Sequence, residues 1–199
     1  MPTRYFVGLD LGRPSEPTAL AVLSRERLTP RDRTDRRPTY ALSHLKRFPP
    51  GTPYPAVLAG LVALLKAPVL HRSWVLADYT GAGWPVQQML AGGLKGTVCC
   101  HYSAVILTAS GTMVPGGRGG LAIPKADVVG TLQVLLQTRR LRIAKELPEV
   151  QTLTRELAAY RPKVTLAPAE ATTWREGAHD DLVFAAGLAA WGGEAALPR

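Results

Sequence analysis

The sequence predicts an α/β fold in which helices flank both faces of a mixed central sheet. Three segments of strand character fall within the first 48 residues, before any helical pattern begins. From there on, short apolar runs alternate with segments of helical periodicity. Antiparallel strands followed by alternating strands and helices are typical of a mixed sheet with helices on its faces.

The first three strands follow from apolar runs and the turn residues between them. Residues 5–10 (YFVGLD) form a short apolar run that ends near Gly12, a turn residue. Residues 18–24 (TALAVLS) predict its hairpin partner, and residues 40–48 (YALSHLKRF) predict a third antiparallel strand. The polar segment 25–37 contains six arginines and is interpreted as a loop.

The remainder of the chain supplies the helices and the other strands. Apolar spacing predicts helices over residues 54–66, 84–91, 125–138, 148–160 and 180–191. Further strands are predicted at residues 74–78 (WVLAD), 96–101 (GTVCCH) and 141–144, with a glycine-rich hairpin over residues 112–123. Residues 164–176 show no decisive pattern.

Length and composition indicate a globular protein with one domain over residues 1–199. Apolar residues make up 46% of the chain and charged residues 20%. The two cysteines, Cys99 and Cys100, are adjacent, which argues against a disulfide scaffold and a cysteine zinc site. No signal peptide is visible, and the most apolar segment, residues 56–65, is too short to cross a bilayer. These features predict a cytoplasmic location and no membrane partner.

The net charge of +9 and the pI of about 10.0 leave two interpretations open. A GC-rich genome favours arginine, and the chain has no asparagine. Alternatively, the partner is a polyanion, since a basic domain is the electrostatic footprint of nucleic-acid binding.

Two predicted strands end in an aspartate, Asp10 in the first and Asp78 in the WVLAD strand. Because ligands of α/β proteins bind outside the carboxyl ends of the strands, both carboxylates are candidates for a functional crevice. Gly81 and Gly83 follow the second acid, where backbone can approach a ligand closely. The alternative interpretation is that each aspartate forms a local turn with the residues after it.

A third acidic site, HDD at residues 179–181, opens the last predicted helix. Aspartates are common helix caps, so capping is the alternative interpretation for Asp180 and Asp181. If the three acidic segments converge, their carboxylates repel one another unless cations neutralise them. Carboxylate oxygens suit Mg²⁺ or Mn²⁺, and two such ions about 4 Å apart can activate water in phosphodiester cleavage.

The three acidic segments also carry a family resemblance. The motifs GLDLG (residues 8–12), LADYTGAGWPV (76–86) and HDDLVFAAGLAAW (179–191) resemble the three acidic motifs of phage terminase large-subunit nuclease domains. The stretch GLAIPKADVVGTLQVLLQ (120–137) resembles the segment between the second and third motifs. The similarity covers nearly the whole chain, with the motifs in the same order.

The resemblance implies a ribonuclease-H-like fold and a metal-dependent endonuclease that cuts double-stranded DNA during genome packaging. It implies that Asp10, Asp78 and Asp181 bind two Mg²⁺ or Mn²⁺ ions and are catalytic, with Asp180 as the other candidate for the third position. A separate packaging ATPase or portal-type protein is an implied partner, and the cytoplasm of a bacterium or a phage-infected host cell is the implied location.

Three further residues are candidate DNA contacts. Arg118 lies in the glycine-rich hairpin, Lys125 follows it, and His179 precedes the aspartate pair. Lysine and arginine contacts to phosphate supply most non-specific affinity for DNA, whereas His179 could also orient an aspartate. The alternative for the two cations is ordinary solvated surface charge, and for His179 a partly exposed position beside the helix start.

One departure from the terminase pattern leaves other functions open. The chain has no GxxxxGK(S/T) phosphate loop, so it is either a domain excised from a terminase or a free-standing relative with another function. The alternatives are a junction resolvase of the same superfamily, an actin-like or sugar-kinase-like ATPase, and a non-catalytic DNA-binding adaptor. Only 68 positions separate Asp10 from Asp78, which is short for the first domain of such an ATPase.

Overall fold

The computed structural model describes residues 3–26, 37–109, 111, 114–115, 120–160 and 179–195. Its strands are β1 (Arg4–Asp10), β2 (Thr18–Glu26), β3 (Thr39–Phe48), β4 (Ser73–Asp78), β5 (Cys100–Thr108), β6 (Val114–Pro115), β7 (Leu121–Pro124) and β8 (Leu141–Ile143). Its α-helices are α1 (Tyr54–Leu65), α2 (Trp84–Leu94), α3 (Lys125–Gln137), α4 (Val150–Ala159) and α5 (Asp181–Glu194). The predicted loop 25–37 and the unassigned segment 164–176 fall largely or wholly outside the described residues.

The strands form one mixed sheet with the order β6-β7-β5-β4-β1-β2-β3-β8. Strands β1, β2 and β3 pair antiparallel as a meander. Strands β4, β5 and β7 extend the other side of β1 in parallel, and β8 joins β3 in parallel. The short β6 pairs antiparallel with β7, as the predicted hairpin requires. The mixed sheet inferred from the order of the elements is therefore confirmed.

Helices cover both faces of the sheet, which confirms the predicted layering. Helices α3, α4 and α5 pack on one face, called the α5 face below, around a core that includes Phe184 and Leu132. Helices α1 and α2 pack on the other face, with Leu61 and Leu90 fully buried. No helix in the described part of the chain is long and apolar enough to cross a membrane.

One predicted strand was wrong in position. The pattern GTVCCH predicts a strand over residues 96–101, but β5 begins at Cys100 and continues to Thr108. Gly96 has a φ of 74°, a left-handed conformation that ends the turn after α2 instead of extending into a strand. The backbone N–H of Thr97 also bonds back to the carbonyl of Leu94. The strand therefore starts later than predicted and extends through the apolar run SAVILT, residues 103–108.

A β-bulge in β3 sets which side chains of that strand face α5. The pairing of β2 with β3 shifts by one residue after Val22, so that Ser43 has no partner in the register. The Ser43 hydroxyl donates instead to the carbonyl oxygen of Val22 at 3.2 Å. Because a one-residue shift reverses the alternation of side chains, both Leu42 and Leu45 pack in the core beneath α5. Arg47, two residues further on, shares that face.

Helix α5 lies directly against β1. A Cβ at Gly8 would stand 2.0 Å from the carbonyl oxygen of Ala185 and 2.8 Å from the amide nitrogen of Ala189. Near the other end of the helix, Gly192 approaches the side chain of Phe6, earlier in the same strand. These contacts show that α5 runs opposite to β1, so the beginning of the helix lies toward the carboxyl end of the strand.

The end of α5 is held by a partly buried cluster of polar and charged side chains. Arg140 donates two hydrogen bonds to Glu194, at 2.7 and 2.9 Å, and the Tyr40 hydroxyl donates a third at 2.5 Å. Burial alone would raise the pKa of Glu194, but the bonds from Arg140 and Tyr40 outweigh it and lower that pKa. The helix is therefore anchored to β3 at one end, while its other end reaches the candidate site.

Candidate metal centre

Asp10 and Asp78 lie side by side at the carboxyl ends of two adjacent parallel strands. They are partners in the β1–β4 register, so their Cα atoms are one strand spacing apart, about 4.8 Å. Both side chains point to the α5 face. Residues an even number of positions apart in a strand share one face, and Phe6, four residues before Asp10, and Leu76, two residues before Asp78, belong to the core on that face. Asp10 is 0% exposed and Asp78 3% exposed. This register places the two candidate carboxylates next to each other at one edge of the sheet.

The carboxylate of Asp78 is oriented by Thr80, two residues further along the chain. The backbone N–H of Thr80 donates to Asp78 Oδ1 at 2.9 Å, and the Thr80 hydroxyl donates to the same oxygen. The Thr80 hydroxyl in turn accepts the backbone N–H of Leu107 at 2.8 Å. This chain of hydrogen bonds ties the acid at the end of β4 to β5 and fixes the plane of its carboxylate.

Asp181, in the first turn of α5, reaches the same edge of the sheet. It lies one helical turn, about 6 Å, before Ala185, which covers Gly8. Asp10 lies two residues, about 6.6 Å, beyond Gly8 in the same direction. The side chain of Asp181 is buried, and both of its oxygens accept hydrogen bonds from Arg47, at 2.8 and 3.0 Å.

Arg47 belongs to a row of residues that crosses four strands. Asp78 pairs with Asp10, Asp10 pairs with Ala19, and Ala19 pairs with Arg47. Residues paired in this way share one face of the sheet, so an arginine stands two strand spacings, about 10 Å, from Asp10. Ala19 between them is small and lies under α5, which leaves the guanidinium room to reach Asp181.

The beginning of α5 is capped by Glu156 of α4. Its Oε2 accepts the backbone N–H groups of Leu182 and Val183 at 3.0 and 3.2 Å. Asp180, at the cap position itself, makes no side-chain cap bond. Glu156 thus performs the capping that was the alternative interpretation of the aspartate pair. Asp181 accepts hydrogen bonds from Arg47 instead.

Two buried acidic side chains, Asp181 and Glu156, dominate the electrostatics at the start of α5. Burial, together with repulsion from Asp181, raises the pKa of Glu156 to about 7, although the α5 N–H groups and Arg47 act in the opposite direction. His179 lies farther out, with its Nδ1 3.8 Å from Asp181 and its side chain 62% exposed. Arg47 is therefore the permanent cation nearest to Asp181 among the contacts that the structure describes.

The residues present fit a divalent cation in part. Asp10 and Asp78 provide hard oxygen donors from adjacent strands, the ligand type that Mg²⁺ and Mn²⁺ prefer. Among the described residues, no three His, Cys, Asp or Glu side chains stand close enough to form a metal-binding group. The convergence of Asp181 with the other two carboxylates on bound ions therefore stays a prediction.

Of the three candidate DNA contacts, the structure describes Lys125 and His179. Lys125 begins α3 directly after β7, whose parallel pairing with β5 carries it to the same carboxyl edge. Its ammonium group stands 5.2 Å from the ring centre of Phe184, in α5. His179 is exposed beside the site, whereas Arg118 lies outside the described residues.

Four residues near the site were not singled out by the sequence analysis: Thr80, Arg47, Glu156 and Arg13. Thr80 had a local signal, since an aspartate followed two residues later by threonine forms an Asx-type turn. Arg47 and Glu156 had none, because they meet the start of α5 from 134 and 26 residues away. Arg13 is exposed and lies across Gly81, whose Cβ position would be 3.2 Å from its Cγ.

Replacing Thr80 tests the orientation of Asp78. In Thr80→Val the hydroxyl is lost while the shape is kept, so we expect the divalent-metal affinity to fall about tenfold, the lower end of the range for partners of metal ligands. Thr80→Ser retains the hydroxyl and should stay within about threefold of the parent protein. Titration with Mn²⁺, followed by electron paramagnetic resonance, measures both. Equal affinities for the valine and serine variants would contradict the role assigned to Thr80.

Comparison with solved structures identifies the fold. The large terminase nuclease from thermophilic phage G20c superposes with a TM-score of 0.60 and 20% identity, covering 94% of this chain and 81% of that one. The Mn-soaked human cytomegalovirus terminase nuclease domain gives a TM-score of 0.57 at 9% identity, covering 94% and 83%. Its inhibitor-bound, Mn-soaked form gives 0.58 at 11% identity, covering 96% and 83%.

These comparisons confirm the predicted ribonuclease-H-like α/β fold, in the form found in terminase nuclease domains. No protein-family model matches the sequence, and no curated protein matches it significantly. At these low identities the likeness establishes the fold, and the chemistry has to be argued from the residues themselves.

Proposed function

We propose that this protein is a metal-dependent endonuclease that hydrolyses phosphodiester bonds of DNA. The observation that carries the proposal is the pairing of Asp10 with Asp78, two buried carboxylates in register on adjacent parallel strands. Burying two like charges side by side is costly unless a cation accompanies them. A pair placed at the carboxyl ends of the strands is therefore better explained by metal binding than by stability.

The proposed site residues have distinct tasks. Asp10 and Asp78 would hold the ions between them, and Asp181 would complete the set from the start of α5, with Asp180 as its less favoured neighbour. When bound, two Mg²⁺ or Mn²⁺ ions would activate a water molecule and stabilise the leaving oxygen of the phosphodiester. Thr80 keeps the Asp78 carboxylate in one orientation while the substrate is in place. The packed α5 and the strand ends exclude solvent from one side of the site.

The substrate is proposed to be double-stranded DNA held by its backbone. The net charge of +9 supports a polyanion, and Lys125 and Arg13 lie at the edge that carries the acids. His179, which is exposed beside the site, and Arg118, which lies outside the described residues, remain proposed contacts. The Mn-soaked cytomegalovirus nuclease domain supports divalent-metal use by this fold. By analogy with the terminase nucleases, a packaging ATPase or portal-type protein is the proposed partner, in the cytoplasm of an infected cell.

A plasmid assay with Mg²⁺ or Mn²⁺ tests this function. We expect nicking and linearisation with metal and none with EDTA. Asp181→Asn should lower the rate at least about a hundredfold, because a ligand is lost, whereas Asp180→Asn should stay within about threefold. Equal losses in the two variants would contradict the assignment of Asp181.

Other substrates in the same assay separate the competing functions. Strong preference for four-way junctions would identify a resolvase, and ATP hydrolysis without DNA cleavage an actin-like or sugar-kinase-like ATPase. DNA binding without cleavage under either metal would identify an adaptor. Binding should also weaken steeply between about 50 and 200 mM salt, and a flat response would contradict backbone recognition.

A further inference from the structure

Arg47 lies between two buried carboxylates but forms hydrogen bonds with only one of them. It donates two hydrogen bonds to Asp181, at 2.8 and 3.0 Å. Its Nη2 is also 3.8 Å from Glu156 Oε1, which is an ion-pair distance but too long for a hydrogen bond. The Arg47 side chain is 21% exposed, against 6% for each acid. The guanidinium is thus the most accessible member of the three.

One carboxylate oxygen of Glu156 accepts hydrogen bonds, whereas the other accepts none from the described residues. Oε2 accepts the two backbone N–H groups at the start of α5. Oε1 is buried and has no hydrogen-bond partner among the residues that the structure describes. A buried carboxylate oxygen without a donor is unfavourable, because it has lost its hydration without gaining a hydrogen bond. The nearest described cation able to satisfy it is Arg47, at 3.8 Å.

We propose that Arg47 is an exchangeable counter-ion, which neutralises Asp181 until a divalent cation binds that carboxylate and then moves to Glu156 Oε1. The inference rests on the proposed metal-dependent function. It makes Arg47 and Glu156 positioning residues for Asp181.

The physical advantage of such an exchange is that no buried charge is left uncompensated in either state. Without metal, Asp181 is neutralised by a two-bond arginine contact, the strongest side-chain pairing for a carboxylate. With metal, Asp181 donates electron density to the ion, and an arginine left beside the ion would be repelled by it. A shift of about 1 Å toward Glu156 turns the 3.8 Å contact into a hydrogen bond.

A double-mutant cycle on metal affinity tests the exchange. Mn²⁺ binding is measured by electron paramagnetic resonance at pH 8.5 for the parent protein, Arg47→Gln, Glu156→Gln and the double variant. Arg47→Gln removes the competitor and should tighten binding about tenfold. Glu156→Gln removes the acceptor for the displaced arginine and should weaken binding about tenfold. In the Arg47→Gln background the same change should have less than about a twofold effect, because the two residues act as a unit.

Glu149→Gln is the matched charge control. Glu149 lines the open surface pocket that also contains Arg47 and His179, but it has no described contact with Asp181. Its removal reports the general effect of one carboxylate on cation affinity, which should be below about twofold. If Glu156→Gln weakens binding equally with and without Arg47, the exchange is wrong and Glu156 acts only through its charge.

A spectroscopic measurement on the unaltered protein covers the case in which Arg47→Gln does not fold. The Arg47 Nε–H signal, assigned from its absence in Arg47→Lys, should shift when Mg²⁺ is added, because its acceptor Asp181 is taken by the ion. In Glu156→Gln, Mg²⁺ should instead broaden the signal through exchange with water. An unchanged signal at saturating Mg²⁺ would overturn the exchange but leave the nuclease proposal intact. Failure of the parent protein to bind Mn²⁺ or Mg²⁺ at all would overturn both.

Discussion

Asp10→Asn and Asp78→Asn are each expected to lower metal-dependent DNA cleavage at least about a thousandfold. Each change removes a proposed ligand of the ions, whose charge stabilisation amounts to several kcal/mol, and about 1.4 kcal/mol corresponds to a factor of ten in rate. The same variants should be more stable than the parent protein without metal, because each relieves the repulsion between two buried neighbours. We expect the metal-free Tm to rise by roughly 2–4 °C.

The opposite signs of these two effects distinguish a metal site from a structural one. A residue that matters for folding loses activity and stability together, whereas a ligand loses activity alone. Asp127→Asn is a suitable control, since Asp127 is exposed in the first turn of α3 and should change neither quantity appreciably. A metal-free Tm that falls in both Asp10→Asn and Asp78→Asn would contradict the ligand assignment.

Gly8→Ala is expected to destabilise the fold strongly. The added Cβ would stand 2.0 Å from the carbonyl oxygen of Ala185, a backbone atom that cannot rotate away. Helix α5 would have to leave β1 along with the Asp181 that it carries. Overpacking of this kind costs about 3 kcal/mol or more, so we expect a large loss in the free energy of unfolding, measured by urea denaturation.

Gly130→Ala provides the matched control for the same chemical change. Gly130 lies inside α3, and a Cβ there meets nothing within 4 Å. Because alanine favours the helix more than glycine does, this variant should be about 0.5–1 kcal/mol more stable. Comparable losses in the free energy of unfolding at Gly8 and Gly130 would show that α5 does not pack on β1 as described.

The part of the site that lies on strands could be predicted from the sequence. Asp10 and Asp78 each end an apolar run, and a simple rule about strand ends places both at one edge of the sheet. Their pairing in register follows once β1 and β4 are parallel neighbours. The fold class was predictable for a similar reason, since antiparallel and parallel segments follow one another along the chain.

The remaining part could not be predicted, because it depends on contacts between distant segments. Nothing near Arg47 indicates that it will meet Asp181, since the bulge at Ser43 decides which face of β3 it occupies. Glu156 likewise resembles an ordinary surface glutamate of an amphipathic helix until α5 is placed against α4. The misplaced β5 had a local cause, a glycine in a left-handed turn where the sequence suggested the start of a strand.

The seating of α5 on the first strand also has a consequence for the order of events during translation. The helix begins at residue 181, whereas the strand it covers ends at residue 10, so the ribosome makes all of the described strands before the helix that packs on β1. Because domains assemble only when their segments are available, a nascent chain carries Asp10 and Asp78 without Asp181 until α5 has been made. Under the proposed function, hydrolytic competence would then arise only after the synthesis of α5, so shorter nascent chains would leave nearby DNA intact.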